Sequence, residues 1–405
     1  MEEWKIDKLG NLCKRVCSGG TPKSTCDAYY GGGIPWLNTK EVDFNRIYST
    51  ESTISQAGLD NSSAKWIEKN AVIVAMYGNT AGKVALSMIP LTTNQACCNL
   101  MIDEKKADYR YIYYYLCSQY VEIKSKANGA AQQNLNAQLI KDLDIPLPPL
   151  EVQNRIADIL SSIDNKIELN NRINHNLEEQ AQALYKFWFI DFEPFKDGKF
   201  IESELGMIPE GWEVMMLSDF ASIKKDSTNP AKNPKTLFAH YSIPAFDDNQ
   251  KPEMQYGSDI LSNKFLVPNQ CVLFSKLNPR IKRVWTICNS MPNAICSTEF
   301  AIYQAIQSSD FGFLCSYINS DTYYDKAMSL VNGATGSHQR FHTEDTLEFE
   351  IPANKDIVSR FSSIVKPLYQ KIAQHREENQ KLAEKRDALL PRLMSGELSI
   401  NDIDC

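Results

Sequence analysis

The sequence lacks the features of several classes of protein. None of its 11 cysteines forms a C-x-x-C pair, and an odd, scattered set fits reduced, buried thiols better than a zinc or disulfide framework. No apolar run approaches the ~18 residues of a membrane helix, and the first residues lack the basic and then apolar order of a signal peptide. We therefore expect a soluble, cytoplasmic chain.

An excess of positive charge is also missing. The 43 basic and 50 acidic residues give a formal net charge of -7, so a positive field over the whole molecule could not attract a polyanion. A nucleic acid would have to be bound by local patches or with the help of partner subunits. At 405 residues, of which 43% are hydrophobic, the chain is long enough for two or more packed domains.

Motifs for catalysis and cofactor binding are absent as well. There is no Walker loop, no dinucleotide fingerprint and no Asn-Pro-Pro-Tyr motif of the amino-methyltransferase kind. His338 and His342 have i, i+4 spacing but no accompanying glutamate constellation. Cys97 and Cys98 have no histidine and aspartate nearby, which is typical of buried thiols. We predict that the chain catalyses nothing itself and holds no metal or cofactor.

What the sequence does contain is an internal duplication. Residues 151–189 align without a gap with residues 356–394, at a shift of 205 residues, so that Arg155 meets Arg360 and Asn174 meets Asn379. Shorter matches precede both segments in the same order and at nearly the same shift. Since chance does not easily produce a common order and shift, the chain consists of a domain, a helix, a second domain and a second helix.

Both long segments have the apolar pattern of a coiled coil. Apolar residues recur at alternating spacings of four and three, although a helix packed on its own domain is the alternative. Both seams become polar at their middle, and an antiparallel pair would place Asn170 against Asn379 and Asn174 against His375. The short connection between the first helix and the second domain favours this direction. The seam positions are Ile156, Leu160, Ile163, Ile167, Asn170, Asn174, Leu177 and Leu184, then Phe361, Val365, Leu368, Ile372, His375, Asn379, Leu382 and Leu389.

The two globular domains are predicted to be α+β. Each contains β-rich stretches followed by a helical stretch rich in aromatic residues, and prolines mark the exit into each long helix. The predicted order is a first domain at 1–150, a helix at 151–190, a linker at 191–211, a second domain at 212–352, a helix at 353–396 and a tail at 397–405.

Windows without acidic residues indicate a ligand surface in each domain. Residues 69–102 and 260–298 contain no Asp or Glu, nor do residues 123–141 and 326–343. Gln, Asn and Arg in their loops suit base edges, and Lys, Thr and Gly-rich backbone suit phosphates, whereas core strands with ordinary turns better explain the strand residues. The candidate DNA contacts are Thr21, Lys23, Tyr77, Asn79, Thr80, Lys83, Asn94, Gln95, Gln132 and Gln133, then Lys276, Asn278, Arg280, Lys282, Arg283, Ser337, His338, Gln339 and Arg340.

These motifs resemble those of the specificity subunits of type I restriction-modification systems, over essentially the whole chain. The likeness is carried by SGGTP (18–22), IPWL (34–37), YGNTAGK (77–83) and NGAAQQNLNAQLIKDLDIPLPPLEVQNRIADIL (128–160), and in the second copy by GWEVMMLSDF (211–220), STEF (297–300), GATGSHQRF (333–341) and LLPRLMSG (389–396). Two departures are KKDSTNP (224–230) in place of the first Gly-rich loop, and an exit into the second helix without the family's proline pair.

The resemblance implies a function and a set of partners. Each domain would be a target recognition domain that reads one half of a bipartite site in double-stranded DNA. The antiparallel helices would set the unread spacer and dock two modification subunits, which carry S-adenosylmethionine and methylate adenine. Restriction subunits that use ATP and Mg would join this core, and the chain itself would hold no cofactor.

Three other interpretations stay open at this point. The first is a specificity chain that serves a fused or type II-like methyltransferase. The second is an adaptor with two modules on a coiled-coil spacer that does not bind nucleic acid. The third is a thiol enzyme that uses Cys97 or Cys98.

Overall fold

A computed structural model of the protein describes residues 4–128, 134–248, 250–331 and 341–398. The chain folds into two compact units, one formed by residues 1–166 and 382–405 and the other by residues 167–381. Both units combine sheets with helices, and the predicted α+β class with two long helices is confirmed. Within the described ranges, no helix has both the length and the apolar character that a membrane crossing requires.

The first unit is built around a five-stranded sheet with the order β2-β9-β6-β7-β4, beside a smaller sheet with the order β5-β3-β8. The strand Val72–Ala75 lies inside the larger sheet and all four of its residues are buried, which explains its unbroken apolar sequence. The elements are β1 Lys5–Lys8, β2 Cys13–Ser18, β3 Tyr30–Leu37, β4 Asn45–Ile47, β5 Ser52–Ile54, α1 Gln56–Asp60, β6 Val72–Ala75, β7 Val84–Ser87, β8 Thr92–Thr93, β9 Cys97–Ile102, α2 Tyr109–Ser118, α3 Tyr120–Asn128, α4 Ala137–Lys141, β10 Asp144–Leu147 and the start of α5 Leu150–Phe189.

The second unit repeats this plan with a four-stranded sheet, β14-β22-β19-β20, and a five-stranded sheet, β15-β18-β21-β16-β17. Its elements are β11 Phe200–Ser203, β12 Gly206–Pro209, β13 Glu213–Met216, β14 Ala221–Lys224, β15 Ser227–Thr228, β16 Leu237–Tyr241, α6 Ile243–Asp247, β17 Glu253–Tyr256, β18 Lys264–Leu266, β19 Cys271–Ser275, β20 Val284–Ile287, β21 Ala294–Cys296, β22 Phe300–Ala305, α7 Phe311–Asn319, α8 Asp321–Ser329, β23 Glu350–Ala353 and most of α9 Lys355–Met394.

The same pair of short strands closes each domain just before its long helix. In the first domain β1 pairs antiparallel with β10, so that Ile6 lies opposite Pro146. In the second domain β13 pairs antiparallel with β23, so that Met215 lies opposite Ile351. The internal repeat that the sequence predicts therefore extends to the way in which each domain begins and ends.

The middle parts of α5 and α9 lie in the second unit, where the two helices run antiparallel. The Asn170 side chain donates from Nδ2 to Oδ1 of Asn379 at 2.8 Å and to Oε2 of Glu378 at 2.9 Å. One turn further, His375 Nδ1 lies 2.8 Å from Oδ1 of Asn174. Partner numbers fall on α9 as they rise on α5, which confirms the predicted antiparallel direction. Because the polar positions meet one another inside an apolar seam, they fix the register.

The ends of the same two helices meet in the first unit. Ile156 and Leu160 of α5 are buried in one hydrophobic cluster with Leu393 and Met394 of α9. Arg386 of α9, which precedes Leu393, pairs with Asp164 of α5, which follows Leu160, at 2.9 Å. Rising numbers on one helix therefore again meet falling numbers on the other. All predicted seam residues in both units are buried or half-buried: Ile156, Leu160, Ile163, Ile167, Asn170, Asn174, Leu177, Leu184, Phe361, Val365, Leu368, Ile372, His375, Asn379, Leu382 and Leu389.

An aromatic cluster joins α5 to the second domain. The Phe189 ring lies 5.5 Å from Trp212, 4.9 Å from Phe313 and 5.0 Å from Phe361, centroid to centroid, and it is buried. Trp212 is the first residue of the predicted second domain. This cluster therefore packs the end of α5, the start of the domain, α7 and α9 into one core.

Replacing Phe189 with alanine should lower the free energy of unfolding of the second unit by about 3–5 kcal/mol, because the change leaves a large cavity in a fixed aromatic cluster. The matched control is Phe187→Ala on the same helix, where the side chain is 46% exposed and the expected change is within about 0.5 kcal/mol. Urea unfolding followed by tryptophan fluorescence measures both. Equal losses for the two variants would contradict this account of the core.

Candidate nucleic-acid interface

In the first domain, three segments meet at one edge of the five-stranded sheet. One segment follows β2, another follows β6 and the third precedes β9. The strand register places the end of β2 and the end of β6 beside the start of β9. Backbone hydrogen bonds join them: Gly20 N donates to Thr93 O at 2.9 Å, and Met76 N donates to Ala96 O at 2.8 Å. The Thr21 hydroxyl also donates to Oε1 of Gln95. We call this surface edge one.

The glycine pair in SGGTP is required by this packing. A Cβ atom at Gly19 would lie 2.1 Å from the carbonyl oxygen of Thr93, and one at Gly20 would lie 2.2 Å from the backbone nitrogen of Ala64. The Trp36 indole also donates from Nε1 to Gly20 O at 2.9 Å. A side chain at either glycine would therefore move Thr21 and the residues after it away from edge one.

At edge one, some of the predicted DNA contacts are exposed, whereas others have structural roles. Asn94 is buried; its Oδ1 accepts from Ala96 N at 3.2 Å and from Cys97 Sγ at 3.3 Å. Lys83 Nζ lies 2.5 Å from Asp43 Oδ1, which ties the YGNTAGK loop to the segment before β4. Asn94 and Lys83 thus hold loops in place. Thr21, Lys23, Tyr77, Asn79 and Gln95 are exposed, and Thr80 is half-buried.

The second domain has an equivalent surface, which we call edge two. Lys276 N donates to Glu299 O at 2.8 Å, and Ser297 N donates to Tyr241 O at 3.0 Å. The second of these bonds matches the bond from Asn94 N to Leu37 O at 2.9 Å in the first domain. The loops after β19 and β21 therefore meet as the loops after β6 and β8 do in the first domain.

In the loop at 276–283, the two lysine side chains lie over two different aromatic rings. Lys276 lies over the ring of Phe265, 5.9 Å from its centroid, and Lys282 lies over Tyr324 at 5.7 Å. Lys282 also pairs with Asp321 at 3.2 Å. Arg280 is exposed, Asn278 is half-buried and Arg283 is buried.

Arg283 makes a two-pronged ion pair within the domain. Its Nε and Nη2 lie 2.7 and 2.8 Å from the two carboxylate oxygens of Asp247. Only 9% of the residue is exposed. This geometry uses the guanidinium edge that would otherwise read a guanine, so Arg283 is placed to hold the loop on α6.

Six predicted residues lie outside the described part of the chain: Gln132, Gln133, Ser337, His338, Gln339 and Arg340. The described residues that follow them lie at the two edges. Leu135 N donates to Met76 O at 3.0 Å at edge one. Phe341 is buried, and its ring lies 5.9 Å from that of Phe274, the penultimate residue of β19.

Lys225 is not among the DNA contacts predicted from the sequence, although it belongs to KKDSTNP, the segment that replaces SGGTP in the second repeat. Its ammonium group forms an ion pair with Glu344 at edge two. The hydrogen bond from Lys225 is the main cause that holds the pKa of Glu344 below its ordinary value, and the charge of Lys276 acts in the same direction. Lys225 therefore ties the loop that corresponds to SGGTP to the segment around Glu344 at edge two.

The two adjacent thiols of the first domain are poor nucleophiles. Cys97 and Cys98 are both fully buried. Burial raises the pKa of Cys98 to about 12 and that of Cys97 further, so both stay protonated at neutral pH. Among the residues that the structure describes, no group of three or more His, Cys, Asp or Glu side chains could hold a metal ion.

The two edges and the helices that follow them match known proteins. Residues 1–179, one domain with most of its helix, match the family described as "Type I restriction modification DNA specificity domain". The type I restriction enzyme MjaIX specificity subunit of Methanocaldococcus jannaschii is 27% identical, over 99% of this chain and 95% of the relative. Over nearly its whole length, the chain is therefore similar to type I restriction-modification specificity subunits.

Other type I specificity subunits match the chain over nearly their full length. The HindI specificity subunit of Haemophilus influenzae is 24% identical, over 98% of this chain and all of the relative. The crystal structure of a type I system S subunit from M. genitalium covers 96% of both chains with a TM-score of 0.59, at 17% identity. That likeness extends the agreement in fold across both repeats of this chain.

Proposed function

We propose that this chain is the DNA-binding specificity subunit of a type I restriction-modification complex. The observation that carries the proposal is the pair of equivalent edges, one in each repeat, on a chain whose family is defined by DNA specificity. Edge one presents Tyr77, Asn79 and Gln95 to solvent. Edge two presents Arg280. Each edge reads one half of a bipartite site, so the two recognition domains read two different half-sites.

The paired helices set the spacer between the half-sites and dock two modification subunits. The buried contacts of Asn170 and Asn174 with α9 hold the pair in one register, as a ruler requires. Residues 151–210 carry 6 basic and 12 acidic residues, so this part of the chain does not attract DNA. Phosphate contacts therefore come largely from the partners, which also hold S-adenosylmethionine, and restriction subunits with ATP and Mg complete the complex.

Reconstitution with modification subunits tests the proposal. The chain is purified with them, plasmid DNA is exposed to the complex and the methylated adenines are mapped. We expect one bipartite motif with an unread spacer of fixed length. Methylation without sequence dependence would favour the adaptor interpretation, and activity that requires one large fused polypeptide would favour a type II-like system.

A glutamine substitution tests whether edge one reads bases. Gln95→Ala should weaken discrimination at one base pair of one half-site by about tenfold, since a good side-chain contact to a base contributes about 1–3 kcal/mol. Methylation rates on duplexes with single base-pair changes measure this.

The matched control is Gln138→Ala, an exposed glutamine of α4 that pairs with Asp142 in the same domain. We expect this variant to keep the parent's preferences. A uniform fall in rate on all duplexes for Gln95→Ala would instead assign Gln95 to phosphate contact or to loop structure.

A further inference from the structure

One carboxylate joins three helices in the first unit. The Tyr114 hydroxyl on α2 donates to Oδ2 of Asp164 on α5 at 2.5 Å. Arg386 on α9 donates from Nη1 to Oδ1 of the same carboxylate at 2.9 Å. Only 13% of the Asp164 side chain and 29% of the Arg386 side chain are exposed. The contact is thus largely shielded from water and salt, and it connects the recognition domain to both long helices.

A second contact ties the main sheet of the recognition domain to the same place. Arg46 lies on the outermost strand, β4, and donates from Nη1 to Oδ1 of Asn165 at 2.5 Å. Its Nη2 lies 3.4 Å from the Tyr114 hydroxyl. The sheet that carries edge one and the helix α2 are therefore both fastened at residues 164 and 165 of α5.

The second repeat fastens its domain by different chemistry. Asp108 and Asp310 stand directly before α2 and α7 at equivalent positions, so Ser316 takes the place of Tyr114. The shift between the long helices puts Tyr369 in the place of Asp164. The Ser316 hydroxyl and the Tyr369 hydroxyl lie 3.2 Å apart, and both are buried. The tyrosine is thus on the long helix in the second repeat, whereas it is on the short helix α2 in the first. The contact in the second repeat involves no charged group.

A second pair of equivalent positions, occupied by Arg110 and Gly312, differs in the size of the side chain. Arg110 of α2 pairs with Asp158 of α5 at 2.5 Å. Its equivalent in α7 is Gly312, where a Cβ atom would lie only 2.6 Å from the carbonyl oxygen of Ser362. An arginine fits at the first position and not even an alanine fits at the second without movement of the backbone. The two docking surfaces are therefore not interchangeable, although the helices are the most similar part of the repeat.

We propose that Asp164 is a positioning residue that fixes the orientation of the first recognition domain on the helical pair. The inference rests on the proposed function, because orientation matters only if the domain reads a half-site at a set distance. A carboxylate that accepts from Tyr114 and Arg386 at once permits a single arrangement of the three helices. Loss of its charge lets the domain adopt further orientations, so sites with an altered spacer become acceptable.

The test uses the full chain with its modification subunits. Asp164→Asn keeps an acceptor for Tyr114 and loses the charge that faces Arg386. Methylation is measured on three duplexes, with the parent spacer and with spacers one base pair shorter or longer. The preference for the parent spacer should fall by about tenfold, the factor that the loss of one charge-assisted hydrogen bond gives. Tyr114→Phe should lower it in the same direction and keeps the proposal testable if Asp164→Asn does not fold.

Asp387→Asn is the matched control. Asp387 is the exposed second partner of Arg386, at 2.8 Å, and its loss should leave the preference unchanged. If Asp164→Asn and Tyr114→Phe both keep the parent's preference, or lose rate equally on all three duplexes, Asp164 is not a positioning residue. If the unaltered chain supports no methylation at a bipartite site, the proposed function itself is wrong.

Discussion

Exchanging residues 212–352 for the recognition domain of another specificity subunit is expected to change one half of the methylated site and leave the other half unchanged. Methylation of the parent site should fall by at least ~10³, the lower end of the ratio between specific and non-specific DNA binding. The reason is that every described contact that builds edge one lies within the first unit. Mapping of methylated adenines measures the result.

The structure dictates how this exchange should be made. Trp212 at the first junction packs 5.3 Å from Phe192 and 5.1 Å from Phe195, which stay behind, so the incoming domain must begin with a tryptophan. It must also carry a glycine and a serine at the positions of Gly312 and Ser316. The control is an exchange for a domain that reads the same half-site, which should keep the parent motif. A chimera that changes both halves would contradict the modular interpretation.

Removing a matched heptad from both helices should shorten the unread spacer by about 3 base pairs. Seven residues span about 10 Å of helix, and each base pair adds ~3.4 Å of DNA. Residues 171–177 and 372–378 are the pair to delete, since Asn170 then keeps its partner Asn379 and the remaining seam stays in phase. Motif mapping with the reconstituted complex gives the spacer directly.

A deletion in one helix is the control for the paired deletion. Removing only residues 171–177 deletes Asn174, the hydrogen-bond partner of the buried imidazole of His375. An unpaired buried polar group costs about 1–3 kcal/mol, and every seam contact beyond it slips, so we expect loss of assembly. An unchanged spacer in the paired deletion would end the idea that the helices act as a ruler.

The sequence was sufficient for the helices, because their signal is repetitive. A 4-3 spacing over five heptads predicts two long helices, and polar residues in the middle of both seams predict their register. The contact between Asn170 and Asn379 follows from that pattern together with the antiparallel direction. The aromatic stretches that became α2 and α7 were also predictable, since both have helical spacing.

The loops and the linker were harder, because their structure depends on partners distant in sequence. The strands Phe200–Ser203 and Gly206–Pro209 form a hairpin within the predicted linker, and their sequences show no apolar alternation. Arg283 was selected as a DNA contact, yet it is paired with Asp247, 36 residues away. Asn94 was selected for its amide, which the backbone of its own loop engages. A single sequence shows residue types but not which of them are already bonded.

The division of the chain into units has a consequence for its synthesis. The first unit includes residues 382–405, and Leu393 and Met394 complete the core around Ile156 and Leu160. These residues are made after the second unit, and the roughly 200 residues between the two parts take about 10–40 s at ~5–20 residues per second. During that time the apolar strip that includes Ile156 and Leu160 lacks its cover from Leu393 and Met394, while the second unit can already fold. Chains that stop early would keep that strip exposed and become targets for chaperones or proteases.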